Sequence, residues 1–278
     1  MTFVVATFYK FIYLANSADL KVQLKALCQE KQIKGTILLA EEGINGTIAA
    51  LASDIEVVFK FLRSTPGLAD LTYQESEINF IPFNRLRVRL KKEIVTLGMP
   101  EVRPDNQSGT HVSAQEWNDL IQDPDVLVLD TRNIYETDIG SFDGSIKPNT
   151  DTFRQFPEYV RQNLDPKQHP KIAMFCTGGI RCEKGSSFLL SQGFKEVYQL
   201  KGGILNYLTE IAPEESSWRG ECFVFDQRVA LKSQLEPGTY EMCHGCGNPV
   251  SEQERLSTQY QPGISCPKCY PKRLKQSL

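Results

Sequence analysis

The stretch "MFCTGGIRCE", Met174 to Glu183, places two cysteines around a pair of glycines and an arginine. It follows a short apolar run ending at Cys176 and precedes a helical pattern, so Cys176 lies where a strand passes into a helix. Glycines let the connecting loop turn several backbone N–H groups inward, and the positive end of the helix adds to their field. Such a loop stabilises a sulfur anion, the form that a nucleophilic cysteine uses. The alternative is a small buried residue at a strand end.

The sequence around this loop predicts a doubly wound parallel sheet. The apolar strands "DVLVLDTR" and "KIAMFC" alternate with helical patterns, and Ser113 followed by Glu116 forms a capping pattern for the first helix. Strands buried on both faces and alternating with helices indicate parallel pairing, with functional residues at the carboxyl ends of the strands. We assign this α/β domain to residues 111–220, after a linker at residues 99–110 that is rich in turn-forming residues.

The first part of the chain, residues 1–98, has the order β-α-β-β-α-β. Its first helix covers Ser17–Gln32, and a second helix runs from about Ser53 to Ser64 with Ser53 as the N-cap. Between them, two β-rich runs flank Asn45-Gly46, a pair that favours a hairpin turn. The order predicts a ferredoxin-like (acylphosphatase-like) domain, an antiparallel sheet with two helices on one face.

The strand "RLRVRLKK" at the end of this unit alternates strictly between cations and apolar residues. One face carries all four cations: Arg85, Arg87, Arg89 and Lys91. An ordinary solvated face is one interpretation. The other is a row of contacts to RNA phosphates, which cations neutralise. The sequence pattern by itself leaves both open.

The C-terminal extension, residues 221–278, contains the two C-x-x-C knuckles "CHGC" and "CPKC", separated by 19 residues. Four thiolates at this spacing predict a tetrahedral site, with zinc as the usual occupant: Cys243, Cys246, Cys266 and Cys269. A redox-active dithiol pair and a rubredoxin-type iron centre are the alternatives. The chain ends in a cluster of cations that either contacts RNA or is exposed tail charge: Lys268, Lys272, Arg273 and Lys275.

Composition predicts a globular protein and excludes several classes. The 278 residues carry 31 Lys and Arg against 34 Asp and Glu, a net charge of −3 that does not by itself indicate nucleic-acid binding. No apolar run approaches the roughly 18 residues that a membrane helix needs, and the apolar N-terminus lacks a basic leader. We expect a cytoplasmic protein with reduced cysteines and no membrane partner. Cys28 and Cys222 are expected to be inert core residues, and no organic cofactor motif is recognisable.

The loop "CTGGIR" resembles the active-site loop of the rhodanese superfamily. The resemblance continues upstream in "DTRNIYETDIGSFDGSI" and downstream in "LKGGI", together covering about 113–211. It implies that Cys176 carries a persulfide, cradled by five following residues: Thr177, Gly178, Gly179, Ile180 and Arg181. Three charged residues are expected to support the loop by ion pairing: Asp130, Arg132 and Glu136.

A closer similarity within that superfamily covers about residues 1–220. Four segments in the same order, "EGINGT", "DTRNIYE", "FRQFPEYV" and "CTGGIRCEK", are similar to those of the tRNA uridine hydroxylases. This similarity implies an oxidoreductase that converts the wobble uridine of tRNA to 5-hydroxyuridine. It also implies tRNA as partner, molecular oxygen as co-substrate, and an electron or sulfur donor that the sequence does not identify. An RNA substrate favours the phosphate-binding interpretation of the basic strand.

Cys182 follows Arg181 in the first turn of the expected helix. It is a candidate resolving thiol that would form a disulfide with an oxidised or persulfidated Cys176, provided that the two sulfurs reach bonding geometry. A packing role is the alternative.

Three other functions fit parts of the sequence. One is a thiosulfate-type sulfurtransferase without an RNA substrate, against which only the N-terminal domain and its basic strand argue. Another is a non-catalytic RNA-binding scaffold, in which Cys176 would be dispensable. A cysteine phosphatase is disfavoured because the C-x4-R loop is one residue shorter than the C-x5-R loop of those enzymes, and Phe175 stands where they place histidine.

Overall fold

The computed structural model describes residues 2–271. Its N-terminal part consists of β1 (Phe3–Phe11), α1 (Ser17–Glu30), β2 (Lys34–Ala40), β3 (Gly43–Ala50), α2 (Ala52–Arg63), β4 (Gln74–Ile78) and β5 (Leu86–Leu90). The sheet order is β4-β1-β3-β2-β5, in which β5 alone pairs in parallel. Both helices cover one sheet face, where Leu24 and Phe59 share a core with Ile37. The predicted ferredoxin-like fold is confirmed.

The predicted hairpin turn at Asn45-Gly46 is wrong. The chain turns at Glu41 and Glu42, and β3 begins at Gly43, so Asn45 and Gly46 lie inside a strand. A Cβ atom on Gly46 would lie 2.7 Å from the ring of Phe8, which shows that this glycine provides close packing rather than turn geometry. The side chain of Asn45 donates a hydrogen bond to a distant backbone carbonyl.

Two further N-terminal predictions need correction. Helix α2 begins at Ala52 after an extended Leu51, so Ser53 lies in the first turn and is not the N-cap. The basic strand is not the fourth strand of the β-α-β-β-α-β unit, because β4 completes that unit. Strand β5 is instead a fifth strand that lies parallel to the outer edge of β2. The alternation of cations and apolar residues indicated the two faces of β5 but not the strand with which it pairs.

The middle of the chain folds as the predicted α/β domain. Its elements are β6 (Thr110–Val112), α3 (Ala114–Leu120), β7 (Val126–Asp130), α4 (Ile134–Thr137), β8 (Gly140–Phe142), α5 (Phe156–Asn163), β9 (Lys171–Phe175), α6 (Ile180–Ser191), β10 (Glu196–Leu200) and α7 (Gly203–Glu210). Four strands form a parallel sheet of order β6-β10-β9-β7. Ser113 and Glu116 form the expected capping box. Strand β9 therefore lies inside the sheet and directs its carboxyl end at the "CTGGIR" loop.

The C-terminal part consists of short hairpins. Its elements are β11 (Trp218–Gly220), β12 (Cys222–Phe223), β13 (Ala230–Leu231), β14 (Glu241–Met242), β15 (Pro249–Val250) and α8 (Glu252–Arg255). Strand β11 pairs with β8, which joins this part to the α/β domain. Arg228 donates a hydrogen bond of 2.8 Å to Ser76 of β4, which joins it to the N-terminal sheet. No helix within residues 2–271 is long and apolar enough to cross a membrane.

Candidate active site

Cys176 follows the last residue of β9 and begins the loop that leads into α6. Gly179, with φ of +97°, directs its N–H at the Cys176 sulfur at 3.1 Å. The glycine pair of "LKGGI" supports the loop from the next connection, where a Cβ atom on Gly203 would lie 2.5 Å from the carbonyl oxygen of Cys176. The N–H of Ile204 donates to that same carbonyl at 3.0 Å. The backbone therefore holds the sulfur in one position.

The environment of Cys176 favours its thiolate. Burial alone would raise its pKa, but a hydrogen bond with Cys182, the charge of Arg181 and the N–H groups of both residues lower it to about 6. Burial raises the pKa of Cys28 and of Cys222 to about 12. Cys176 thus differs from Cys28 and Cys222 by its hydrogen-bond donors, which favour an anionic sulfur.

The Cys182 side chain is buried beside Cys176. Burial raises the pKa of Cys182 well above its usual value, and a hydrogen bond with Cys176 and the negative charge of the Cys176 sulfur add to the increase. The hydroxyl of Thr131 lies 3.8 Å from the Cys182 sulfur. The raised pKa makes Cys182 a protonated thiol next to Cys176, an arrangement that sequence reasoning did not consider.

Glu136 connects the loop to helix α4. Its carboxylate accepts two hydrogen bonds from the Arg181 guanidinium, at 2.6 and 2.7 Å, and one from the Thr177 hydroxyl at 3.3 Å. Both charged side chains are buried. Burial would raise the pKa of Glu136, but Arg181 holds it below its usual range. Paired in two places, the Arg181 side chain has a fixed orientation beside the sulfur.

Asp130 and Arg132 form a second buried ion pair below the loop. The Arg132 guanidinium donates to Asp130 at 2.6 Å, and the same nitrogen donates to the carbonyl of Gly140 at 2.6 Å. Ser141 donates to the same oxygen of the Asp130 carboxylate at 2.7 Å. This pair holds the connection between β7 and β8 and does not contact the sulfur.

The N-terminal sheet covers the loop. A Cβ atom on Gly179 would lie only 2.8 Å from the Tyr9 hydroxyl oxygen. Thr7 is likewise close to Gly178. Cys176 is consequently only 1% exposed. Tyr9 also donates to Glu183 of α6 at 3.1 Å. Sequence reasoning missed Tyr9, since alternation in β1 indicates its face of the sheet but not what that face contacts.

Glu183 is the centre of a hydrogen-bond network next to the loop. Besides Tyr9, it accepts from Gln199 at 3.1 Å and lies 2.9 Å from the His111 ring. Burial would raise the pKa of Glu183, but the hydrogen bond from His111 and the charge of that ring lower it. The pKa of His111 is raised in return, chiefly by its hydrogen bond to Glu183. No motif in the sequence pointed to this network.

Lys184 brings two of the family-like segments together. Its ammonium group, fully buried, lies 2.8 Å from the carboxylate of Glu42 in "EGINGT" and 2.6 Å from that of Glu93. The other oxygen of Glu42 accepts from the N–H of Ile94. The glutamate and lysine of these segments therefore join the two sheets. The sequence shows both segments but not their contact.

An open cleft of about 700 Å³ lies between the N-terminal sheet and the α/β domain. Tyr73 and Gln74 line one side, His111 and Lys201 line the other, and Gly178 of the Cys176 loop borders it. Gln74 bridges the two sides by donating to the Gly202 carbonyl at 2.8 Å. The cleft gives solvent a route to the edge of the loop.

The four basic side chains in and next to β5 lie on the sheet face that the helices leave uncovered. Arg87 pairs in register with Thr36, whose neighbour Ile37 points into the helix-covered core. Arg85, Arg89 and Lys91 are exposed and Arg87 is half-buried. None of the four forms an ion pair within the part of the chain that the structure describes.

The four knuckle cysteines converge on one point. All their sulfurs lie within 4.8 Å of one another, with Cys243 to Cys269 at 3.9 Å and Cys246 to Cys266 at 3.7 Å. Bonds of about 2.3 Å to a tetrahedral metal ion would place sulfurs about 3.8 Å apart, so the group fits a metal ion. Lys268 pairs with Asp138 at the end of α4. The other tail cations lie outside the described residues: Lys272, Arg273 and Lys275.

Three family models match successive parts of the chain. They are described as a UPF0176 acylphosphatase like domain at residues 3–94, a rhodanese-like domain at residues 113–210 and a rhodanase C-terminal region at residues 219–276. Together with the thiolate loop at the end of β9, they define a rhodanese-type protein whose active-site loop is covered by an acylphosphatase-like domain.

Two relatives specify the family. The chain is 55% identical to a tRNA uridine(34) hydroxylase of Picosynechococcus sp. over 96% of its own length and 90% of the relative. It is 52% identical to a tRNA uridine(34) hydroxylase of Teredinibacter turnerae, over 96% of this chain and 84% of that one. The chain belongs to this family of tRNA uridine(34) hydroxylases.

Solved structures resemble the separate parts only distantly. A rhodanese-like domain from Anabaena sp. has 18% identity and a TM-score of 0.33, covering 40% of this chain and 78% of its own. An acylphosphatase from Coxiella burnetii has 14% identity and a TM-score of 0.25, covering 32% and 93%. Similarities this weak do not support a conclusion about function.

Proposed function

We propose that this protein is a tRNA-modifying oxidoreductase that hydroxylates the wobble uridine, position 34, to 5-hydroxyuridine. The observation that carries the proposal is the Cys176 thiolate, held by backbone donors directly beneath a sheet face edged with cations. The names of the two relatives supply the substrate and the reaction.

The chemistry of hydroxylation specifies which reactants the enzyme needs besides the tRNA. Transfer of one oxygen atom of O2 to C5 of the uracil ring, with the second leaving as water, consumes two electrons and two protons from an external donor. Cys176 is the residue placed to react, because it is the anionic nucleophile of the site, and a persulfide on it fits the rhodanese-type loop. We propose that the loop residues Thr177 to Arg181 orient the sulfur and that the Cys182 thiol donates a hydrogen bond to it.

The basic strand is proposed to bind the tRNA backbone. Arg85, Arg89 and Lys91 are exposed and free of carboxylate partners among the described residues, so binding phosphates would break no ion pair. Cations at such positions neutralise phosphates without regard to sequence.

The cysteine cluster is proposed to bind one structural zinc ion through Cys243, Cys246, Cys266 and Cys269. Four thiolates leave no open position on a tetrahedral ion, which is typical of a structural site. The short strands of this region would then fold around the metal. We also propose a cytoplasmic location, which an RNA substrate and reduced cysteines would both favour.

Mass spectrometry of tRNA nucleosides tests the proposed function. Cells that lack the gene should lose 5-hydroxyuridine and its derivatives, and the wild-type gene should restore them, whereas a Cys176→Ser gene should not. Unchanged 5-hydroxyuridine in the deletion strain would contradict the proposal.

Sulfur transfer from thiosulfate to a small thiol is the second candidate function, favoured by the lowered pKa of Cys176 in a rhodanese-type loop. Purified protein would then turn over thiosulfate rapidly while deletion leaves tRNA nucleosides unchanged. The burial of Cys176 under Tyr9 argues against free exchange with small molecules.

A further inference from the structure

One row of polar side chains crosses the helix-free face of the N-terminal sheet. The cross-strand registers align, from β4 to β5, the residues Gln74, Thr7, Thr47, Thr36 and Arg87. Residues paired directly across neighbouring strands point to the same face. Since the alternate residues of these strands lie in the core below the helices, the whole row points away from them.

This row forms the floor of a groove, because the rows on both sides are covered. On one side, Val5 and Ala49 pack beneath Ile81 and Phe83 of the segment between β4 and β5. On the other side, Asn45 is bridged to the carbonyl of Ile94, in the segment that leaves β5. The threonines between them remain half-buried rather than buried.

The inner end of the groove is the catalytic loop. A Cβ atom on Gly178 would lie 3.8 Å from the Thr7 methyl group, so the loop rests directly above Thr7. The Thr7 hydroxyl lies 3.2 Å from that of Thr47, which continues the polar floor outward. Neighbouring strands are about 4.8 Å apart, so Arg87, three strands from Thr7, lies about 14 Å away at the outer end.

We propose that this groove binds the single-stranded anticodon loop of the tRNA, with its backbone at Arg87 and the nucleotide to be modified above Thr7 at Gly178. The inference rests on the proposed function and adds to it the path by which RNA reaches the Cys176 loop. A length of about 14 Å holds on the order of four stacked nucleotides at 3.4 Å each. Cations at one end match the charge of the phosphates, and the threonine hydroxyls can donate to and accept from base edges.

The general behaviour of RNA supports this occupant. Protein recognition of RNA sequence is directed mostly at single-stranded loops, and RNA-recognition motifs bind bases on the open face of a four-stranded sheet. A double helix presents no separated bases to a floor this narrow. An anticodon loop offers unpaired bases on a flexible backbone, the form that a groove between two covered rows accommodates.

A charge inserted in the middle of the groove tests the proposal. Thr36→Glu places a carboxylate among the expected phosphates and should weaken binding of a synthetic anticodon stem-loop with uridine at position 34 by about tenfold. Thr36→Gln adds similar volume without charge and should stay within about threefold of wild type. Val57→Glu is the matched control, because Val57 is 39% exposed on α2 at the opposite face, and should bind normally.

A photo-crosslinking benzophenone amino acid at position 36 gives an independent result if Thr36→Glu fails to fold, which a thermal melt would show. It should crosslink to nucleotides next to position 34, whereas the same group at position 57 should not. Normal affinity of a folded Thr36→Glu variant, or equal crosslinking from both positions, would overturn the groove assignment. A different result would contradict the proposed function: wild-type protein that binds the stem-loop, together with 5-hydroxyuridine that remains in tRNA after deletion of the gene.

Discussion

The Tyr9 hydroxyl donates a hydrogen bond of 3.1 Å to the carboxylate of Glu183, joining the first strand of the chain to the helix that follows the Cys176 loop. Burial and the nearby charge of Glu183 raise the pKa of Tyr9 well above its usual value, so the phenol remains a donor at neutral pH. The candidate active site is therefore built from two domains: one provides the sulfur and the other covers it.

Replacing Cys176 with Ser should abolish hydroxylation, because serine provides no anionic nucleophile at neutral pH. The thermal midpoint should change little, since oxygen replaces sulfur in the same loop. Nucleoside mass spectrometry together with a thermal melt measures both effects. Full activity of Cys176→Ser would exclude a thiol mechanism.

The reactivity of Cys176 should follow its pKa of about 6. The thiolate is the deprotonated form, so the rate of persulfide formation with a small sulfur donor should rise with pH to half its plateau near pH 6. By pH 7.5 it should be nearly constant. An unperturbed thiol would reach half its plateau only near pH 8.5. A midpoint above pH 8 would contradict the assigned role of the loop.

Replacing Cys182 with Ala should lower activity less than Cys176→Ser does. The change removes a hydrogen bond to the anion, so the midpoint of the Cys176 pH profile should move upward. Cys182→Ser keeps a donor and should restore the lower midpoint. A Cys182→Ala variant as inactive as Cys176→Ser would instead indicate that Cys182 takes part in the chemistry as a resolving thiol.

Protein purified without chelator should contain about one zinc ion per chain. Elemental analysis should detect it, and changing both Cys243 and Cys266 to Ser should remove it along with part of the thermal stability. Val57→Glu again provides a control that leaves the metal content unchanged. Free alkylation of all four native thiols, with no metal present, would contradict the zinc site.

Changing Arg85, Arg87, Arg89 and Lys91 to Gln should weaken tRNA binding and flatten its salt dependence. Each lost phosphate contact should reduce the slope of log affinity against log salt by about one unit. Persulfide formation at Cys176 should continue, since the loop lies in the other domain. Lys25→Gln with Lys60→Gln removes charge from the helix-covered side and should leave the slope unchanged. Unchanged slope and affinity in the fourfold variant would make the strand an ordinary solvated face.

The strand-loop-helix arrangement around Cys176 was predictable because its signal is local. A strand, a cysteine, two glycines and a helix follow one another within the sequence, and the structure contains them in that order. The role of Gly46 was not predictable in the same way. Its lack of a side chain serves the ring of Phe8, so an Asn-Gly pair that usually marks a turn lies here within a strand.

Contacts between distant segments account for what the sequence could not reveal. The charges of Glu42 and Lys184 were visible within recognisable segments, but nothing in either segment specifies that they pair. The same holds for β5, whose alternation fixed its faces while its pairing to β2 depends on the tertiary fold. Periodicity describes an element, whereas its neighbours are decided by packing.

The enclosure of Cys176 also determines how long a reactive sulfur can survive. With only 1% of the residue exposed, a persulfide formed there would be shielded from the abundant small thiols of the cell, which reduce exposed persulfides by exchange. The covering sheet would thus slow this exchange between turnovers, while the cleft beside Gly178 remains the route by which a sulfur donor approaches. Sulfane sulfur on Cys176 would in this way be retained at the site instead of being lost to solvent.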